Sequence, residues 1–306
     1  MKIGIVDLDT SHPAAWLPIE REMGHEIAGV WDGGSVHPKG YAEKFAAEHR
    51  IPRVHLSFAE MAEDVDCAIL HGCDWDLHVE KARPFVEAGK AVFIDKPIAG
   101  KLDDLKQIRK WAEQGARIAG GSSLRFCSEI QEWRATPLEK RGIPHTVVCG
   151  CGVDEFNYGI HAYSMLSGIM GSGIHSARHL GQGTHRRIQV NWTDGRTGFL
   201  ILGQQNTWLP FHATIVTEKT VTHLQADSNK IYQAILEATL PYLSRKTESP
   251  PVEIPDLLEP ELAALAARQS WLRGDCEVQL SDLMENDPGY DGASFAVEYR
   301  RMKYGT

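Results

Sequence analysis

Short apolar runs alternate with helix-length amphipathic stretches through the first 121 residues, and few folds accept that rhythm. Lys2–Leu8 reads as a buried strand. Ser11 is placed to cap a helix with Pro13 near its first turn, running to about Met23 before Gly24. Glu26–Trp31 is the next strand and ends in Asp32 and the turn pair Gly33-Gly34. A helix through Tyr41–His49, the apolar Val65–Leu70, a helix over Leu77–Ala88 stopped by Gly89, and the strand Ala91–Ile94 follow. Leu102, Leu105, Ile108 and Ala112 then recur at helical spacing up to Gly115. Such β-α-β-α order predicts a parallel sheet with right-handed crossovers and helices on both faces.

From about Leu124 the rhythm changes. Thr146–Cys151, Arg187–Trp192, Thr197–Leu202 and His212–Gln225 read as longer strands joined by short polar turns, the pattern of an antiparallel sheet. A helix at Asn229–Leu243, a proline-rich loop over Glu248–Pro260 and a helix over Glu261–Leu272 ended by Gly274 come next. Beyond Leu283, Asp287–Gly292 is a loop by composition, and Ala293–Tyr304 reads as a helix packing back on the body, with no chemistry attached. The expected fold is α/β: a doubly wound domain over 1–121, then an α/β domain over 122–306 with a large, open, mostly antiparallel sheet.

Composition narrows the functional classes. With 306 residues, 42% of them hydrophobic, the chain can bury two cores. Met1–Leu8 lacks the basic segment and small-residue cleavage site of a signal peptide, and no apolar stretch approaches the ~20 residues that span a bilayer. The six cysteines show no CxxC spacing, so they read as reduced thiols of a cytoplasmic protein. A net charge of −9 without a basic block argues against nucleic acid and leaves a small molecule as the expected partner.

The chemistry concentrates where the apolar run Ala91–Ile94 ends abruptly in Asp95-Lys96-Pro97, a strand–turn–helix junction. In an open α/β sheet this turn lies at the carboxyl edge, where ligands bind, and a lysine there can donate or accept a proton. A solvated loop lysine is the plainer reading of the tripeptide alone.

His78, Glu87-Ala88-Gly89-Lys90, Asp95-Lys96-Pro97, Arg125-Phe126, Asn157-Tyr158-Gly159-Ile160-His161 and Ala267-Arg268-Gln269-Ser270 follow one another in order along nearly the whole chain. Together they resemble the glucose–fructose oxidoreductase / inositol dehydrogenase / MocA family. That resemblance implies a Rossmann-type nucleotide-binding domain, a second domain with a large antiparallel sheet, and a sugar, polyol or sugar derivative bound between them. It also implies NAD or NADP as cofactor, homo-oligomers formed through the sheet, and Lys96 and His161 as the pair handling the substrate's hydroxyl proton. Asn157 and Arg125 would contact substrate. Asp9, Thr10, Ser11, His12, Asp32, Asp95, Lys96 and Pro97 would face the cofactor, sharing a cleft with Asn157 and His161.

The chain departs from the family pattern twice. Dinucleotide folds carry G-x-G-x-x-G after the first strand. Here that stretch is Asp7-Leu8-Asp9-Thr10-Ser11-His12, with carboxylates where phosphates are expected. Asn157 stands where the family has aspartate, and an amide cannot take a proton at neutral pH. Two alternatives stay open: a metal-dependent hydrolase or isomerase using Asp7, Asp9, His12, Asp74, Asp76 and His78, or a non-catalytic binding protein. Against the metal, Asp9-Thr10-Ser11 and Asp74/Asp76 read more simply as helix-start residues. Trp192, Trp208 and Phe211 would stack on a sugar, fill the core or form a subunit contact.

Overall fold

A computed structural model describes residues 1–203 and 208–305, and the chain forms two compact units. The first comprises Met1–Gly121, Leu236–Ile254 and the C-terminal stretch from Asp291; the second comprises Ser122–Ile235 and Pro255–Tyr290. The stretch 122–306 is therefore not one continuous domain, because two of its segments join the first unit.

In the first unit, β1 (Lys2–Val6), β2 (Glu26–Trp31), β3 (Cys67–Leu70), β4 (Ala91–Asp95) and β5 (Ile118–Gly121) form a parallel sheet in the order β2-β1-β3-β4-β5. β3, β4 and β5 are buried along their whole length, as strands covered on both faces must be. The crossovers are α1 (His12–Glu22), α2 (Tyr41–His49), α3 (Phe58–Asp64), α4 (His78–Glu87) and α5 (Leu102–Glu113). Beyond β2 the sheet continues only as a single parallel bridge between Val30 and Val54. The chain runs from β1 to β2 on one side and returns to β3 on the other, so the topological switch point lies between β1 and β3.

The second unit holds α6 (Ser128–Ala135), α7 (Leu138–Arg141), β6 (Pro144–Cys151), α8 (Gly159–Met170), β7 (Ile174–Gln182), β8 (Arg186–Trp192), β9 (Thr197–Leu202), β10 (His212–Thr217), β11 (Val221–Gln225) and β12 (Val278–Gln279). The strands lie in the order β11-β10-β6-β9-β8-β7-β12 and are antiparallel except for β6 against β9. Alternate residues of β8, β9 and β10 are buried, so one sheet face is covered, and α8 is buried on every side. His212–Gln225 is a hairpin rather than one strand, turning at residues 218–220.

Two further helices, α9 (Ile231–Leu243) and α10 (Ile254–Leu272), precede the C-terminal α11 (Gly292–Tyr304). The segment expected to loop until Pro260 is helical from Ile254. Pro255 falls in the first turn, where a missing N–H costs nothing. Pro260 does break the ladder, and the carbonyl of Asp256 that it leaves unbonded accepts instead from the Arg125 guanidinium at 2.9 Å. All six cysteines are free thiols.

Within α1, Glu20 is buried with neither carboxylate oxygen hydrogen-bonded, and burial pushes its pKa up to about 8. The folded chain thus holds a proton that the unfolded chain releases above about pH 4.5. Its contribution to stability is complete below that pH and falls by ~1.4 kcal/mol per unit until the folded group ionises. Glu20→Leu should abolish this slope and raise stability at pH 7 by about 2–4 kcal/mol, measured as urea unfolding between pH 4 and 8. Equal slopes in the two proteins would refute the assignment.

Candidate functional site

The carboxyl edge of the parallel sheet gathers an unusual density of buried ionisable groups. Asp7 follows β1 in the left-handed region, with φ of 66°, which is the conformation a tight turn normally assigns to glycine. Its carboxylate is fully buried: Oδ1 accepts from the Gly33 amide at 3.1 Å, and Oδ2 accepts from the Lys81 ammonium at 2.6 Å. Burial alone would lower the pKa of Lys81, but Asp7 reverses the sign and raises it. Gly72 lies so close that a Cβ there would stand 2.7 Å from Asp7 Oδ2.

Asp9 reaches across the switch point, its Oδ2 accepting from the Cys73 amide at 2.9 Å. Burial, reinforced by Asp7 and Asp32, pushes the Asp9 carboxyl up to about 7. Asp32, at the end of β2, accepts from the Leu8 amide at 3.2 Å, and burial and Asp7 raise its pKa too. Ser11 occupies the N-cap position of α1 without the expected side-chain bond; Thr10 Oγ1 instead accepts from the His12 amide at 3.2 Å.

A second network stands at the end of β4. Asp95 Oδ2 accepts from His12 Nδ1 at 2.5 Å and from His71 Nδ1 at 3.0 Å, while Oδ1 accepts from the Lys96 amide at 2.8 Å. The two imidazoles hold the Asp95 carboxyl well below its ordinary pKa against the opposing effect of burial, and burial keeps His71 neutral. Trp16 stacks on His12 and meets His71 edge-on, with centroids at 5.5 and 4.9 Å. Lys96 and Pro97 are buried directly after this carboxylate.

Among the described residues, His12, His71 and Asp95 are the grouping whose ligand atoms lie close enough, within 4.8 Å, to hold a metal ion. Their contacts are those of two imidazole N–H groups on one carboxylate oxygen. The six residues considered from sequence do not converge in this way. Asp74 caps the short helical turn of residues 75–77, Asp76 pairs with Lys101 at 3.0 Å, and the His78 ring faces the carbonyls of Ile98 and Gly72.

In the second unit, His161 on α8 is buried, with Nδ1 2.7 Å from Ser122 Oγ, which itself accepts from the Leu124 amide. Phe211 meets the His161 ring edge-on at 5.0 Å and stacks near Tyr158, while Trp208 is half exposed beside it. Trp192 is buried and donates to the Gly171 carbonyl, a core role. Asn157 is buried in the turn before α8, where Asp154 Oδ1 binds the amides of Phe156 and Tyr158. Arg125 is drawn inward onto Asp256 rather than presented outward.

Sequence reasoning missed four partners: Lys81, His71, Ser122 and the Cys73 amide. The strand-end rule flags His71, which directly follows β3; nothing in the sequence marks Lys81 as the partner of Asp7.

A dinucleotide needs free amides at the α1 N-terminus and room for its pyrophosphate after β1. Here the His12 amide is bonded to Thr10, Pro13 has no N–H, and the Asp7 and Asp9 carboxylates fill the turn. In this arrangement the edge does not fit a pyrophosphate.

Residues 1–120 match the model of an oxidoreductase family with an NAD-binding Rossmann fold. A curated relative, trans-1,2-dihydrobenzene-1,2-diol dehydrogenase of Danio rerio, is 30% identical over 93 residues, 30% of this chain; the chain spans about a quarter (26%) of that protein's length. Among solved structures, a probable dehydrogenase from Thermotoga maritima superposes with a TM-score of 0.79 at 14% identity, covering 92% of this chain and 100% of that one. Scyllo-inositol dehydrogenase from Lactobacillus casei, solved with NAD(H) and scyllo-inositol, gives 0.78 at 16% identity, covering 92% and 99%. These likenesses establish the fold.

Lys81→Met, which leaves Asp7 buried and alone, should cost about 3–5 kcal/mol. Adding Asp7→Asn should recover most of that loss in urea unfolding. Simple additivity of the two changes would show that they do not interact.

Proposed function

We propose, because residues 1–120 match the oxidoreductase family with an NAD-binding Rossmann fold, that the chain is an oxidoreductase acting at a hydroxyl-bearing carbon of a sugar, polyol or sugar derivative. The observation that carries this reading is the Asp95-Lys96-Pro97 turn: a buried lysine at the carboxyl end of β4, in the matched region, behind a carboxylate fixed by two imidazoles. The family's description names NAD, and the hydride partner of this reading is NAD or NADP. The closed edge described above does not seat it, so the roles that follow are those of the chain's own groups.

Oxidising a carbinol requires removal of its hydroxyl proton, and the reading gives that task to Lys96 and His161. The contact of His161 Nδ1 with Ser122 Oγ at 2.7 Å holds the ring that the reading assigns as base. Asn157 orients a substrate hydroxyl, and Phe211 and Trp208 offer apolar surface to a sugar face. Arg125, already bonded to Asp256, fits a supporting role better than direct contact. Partly exposed Phe199, Ile201 and Val216 on the sheet's uncovered face suit a homo-oligomer contact.

The His12–Asp95–His71 grouping favours a second reading, a metal-dependent reaction without nicotinamide. Stoichiometric zinc, manganese or iron in the purified protein, lost in His71→Ala, would support it.

Lys96→Ala should lower kcat by about 10²–10⁴-fold while changing KM little, as expected for proton transfer in the transition state. The assay is turnover of a panel of sugars, inositols and sugar acids with both nicotinamides. Ser122→Ala should lower kcat less and shift its pH profile. No turnover of any panel member by protein that demonstrably binds a nicotinamide dinucleotide would defeat the oxidoreductase reading.

A further inference from the structure

The crevice at the switch point, between the turns after β1 and β3, is covered within the first unit by the chain's own C-terminal helix. Ala296 of α11 is buried in one cluster with Val36, which follows β2, and Cys73, which follows β3; Phe295 and Tyr299 pack against it. Phe295 also meets Trp75 at a ring-centroid distance of 5.0 Å. At the helix start, a Cβ on Gly292 would stand 2.7 Å from the Trp75 nitrogen and 2.8 Å from Asp74 Oδ1, so the backbone of α11 touches the turn after β3 directly. The Gly292 amide donates to Asp76 at 3.2 Å.

The far end of the helix is fastened to the other turns. Lys303 Nζ donates to the Asp9 carbonyl at 3.1 Å, and Arg300 donates to the Gly34 carbonyl at 3.3 Å. His37 Nε2 donates to the Leu8 carbonyl at 2.9 Å, leaving Nδ1 to accept from the Tyr304 hydroxyl at 2.5 Å. Burial and the nearby Lys303 lower the His37 pKa to about 4, so it is neutral and suited to that tautomer. These turns after β1, β2 and β3 are the ones that receive a dinucleotide's adenosine and pyrophosphate in a doubly wound fold.

We infer that α11 is an intramolecular occupant of the dinucleotide crevice, and that a nicotinamide dinucleotide binds only when this helix leaves. The inference rests on the oxidoreductase reading and adds a regulatory element to the same edge. The turn that the departing helix uncovers is not wholly repulsive, because Lys81 neutralises Asp7 and Asp9 is protonated in part near pH 7. The Asp7 carboxylate, bonded to Gly33 and Lys81, and the Asp9 carboxylate, bonded to the Cys73 amide, are the remaining obstacles in the turn and must also give way.

The test uses NADH and the full chain. Gly292→Val drives a side chain into the turn after β3 and should loosen α11 while leaving Asp7, Asp9 and Lys96 in place. NADH affinity, read as energy transfer from tryptophan, should rise at least tenfold over wild type. In the wild type, saturating NADH should accelerate amide hydrogen exchange across residues 293–304. Equal affinities for the two proteins, including no binding by either, would overturn the inference. So would NADH saturation without faster exchange in α11, a result that decides the matter even if the valine variant fails to fold. Tightening by Asp9→Gly but not by Gly292→Val would also overturn it, placing the obstacle in the turn's carboxylate. The oxidoreductase reading is judged separately: a loosened variant that binds NADH but turns over no member of the sugar panel leaves the helix inference standing and removes the activity.

Discussion

The buried ion pair between Asp7 and Lys81 is the contact around which the sheet edge is organised. Asp7 takes the left-handed turn after β1 and binds the amide that follows β2, while its other oxygen takes a lysine from α4. One side chain therefore ties three segments together. A buried pair of this kind contributes little net stability relative to a well-packed apolar pair, yet removing one partner is severe. It fixes geometry: with Asp7 committed to Gly33 and Lys81, the turn cannot relax around an incoming anion without exposing an unpaired charge.

The neighbouring acids respond to that commitment. Asp9 and Asp32 both lie near the Asp7 charge, and both are raised by burial together with that charge. Asp95, farther along the edge, behaves in the opposite way because two imidazoles donate to it. The same residue type thus plays two electrostatic parts at one sheet edge, decided by whether its nearest partner is another carboxylate or a ring N–H.

The order of β1 to β4 and of α1, α2, α4 and α5 was legible because buried parallel strands read as continuous apolar runs, and glycines close α1 at Gly24 and α4 at Gly89; the short α3 and the four-residue β5, half of it glycine, were not. β7 was not, because His175, Ser176, Arg178 and His179 crowd its sequence; its buried positions are paid for by partners such as Asp275 on His179 and Glu277 on Ser176. The early start of α10 was hidden by Pro255 and Pro260, whose disruption is absorbed by Arg125 from elsewhere in the chain. For the site, Asp95 and Lys96 could be found from their strand-end position. Lys81 could not, since a lysine on an amphipathic helix is ordinarily solvated, and only the fold reveals what it faces.

The three residues at the glycine positions of the first turn share one property: each has a partner inside the same unit. Asp7 has Lys81 and the Gly33 amide, Asp9 has the Cys73 amide, and His12 has Asp95. Glycine at these places serves the tight turn, the approach of a phosphate and close helix–strand packing in turn. The first requirement is still met, since Asp7 keeps the positive φ. The second is met internally, by a carboxylate that takes the hydrogen bond a phosphate oxygen would otherwise compete for. The third is relieved by stacking His12 on Trp16 and anchoring it to β4. A turn merely degraded by substitution would leave such side chains pointing to solvent. Here they are buried or engaged, and Lys303 of α11 bonds the Asp9 carbonyl beside them, so the edge is built as interior whose exposure has a cost, and any ligand must offset that cost before it contributes binding.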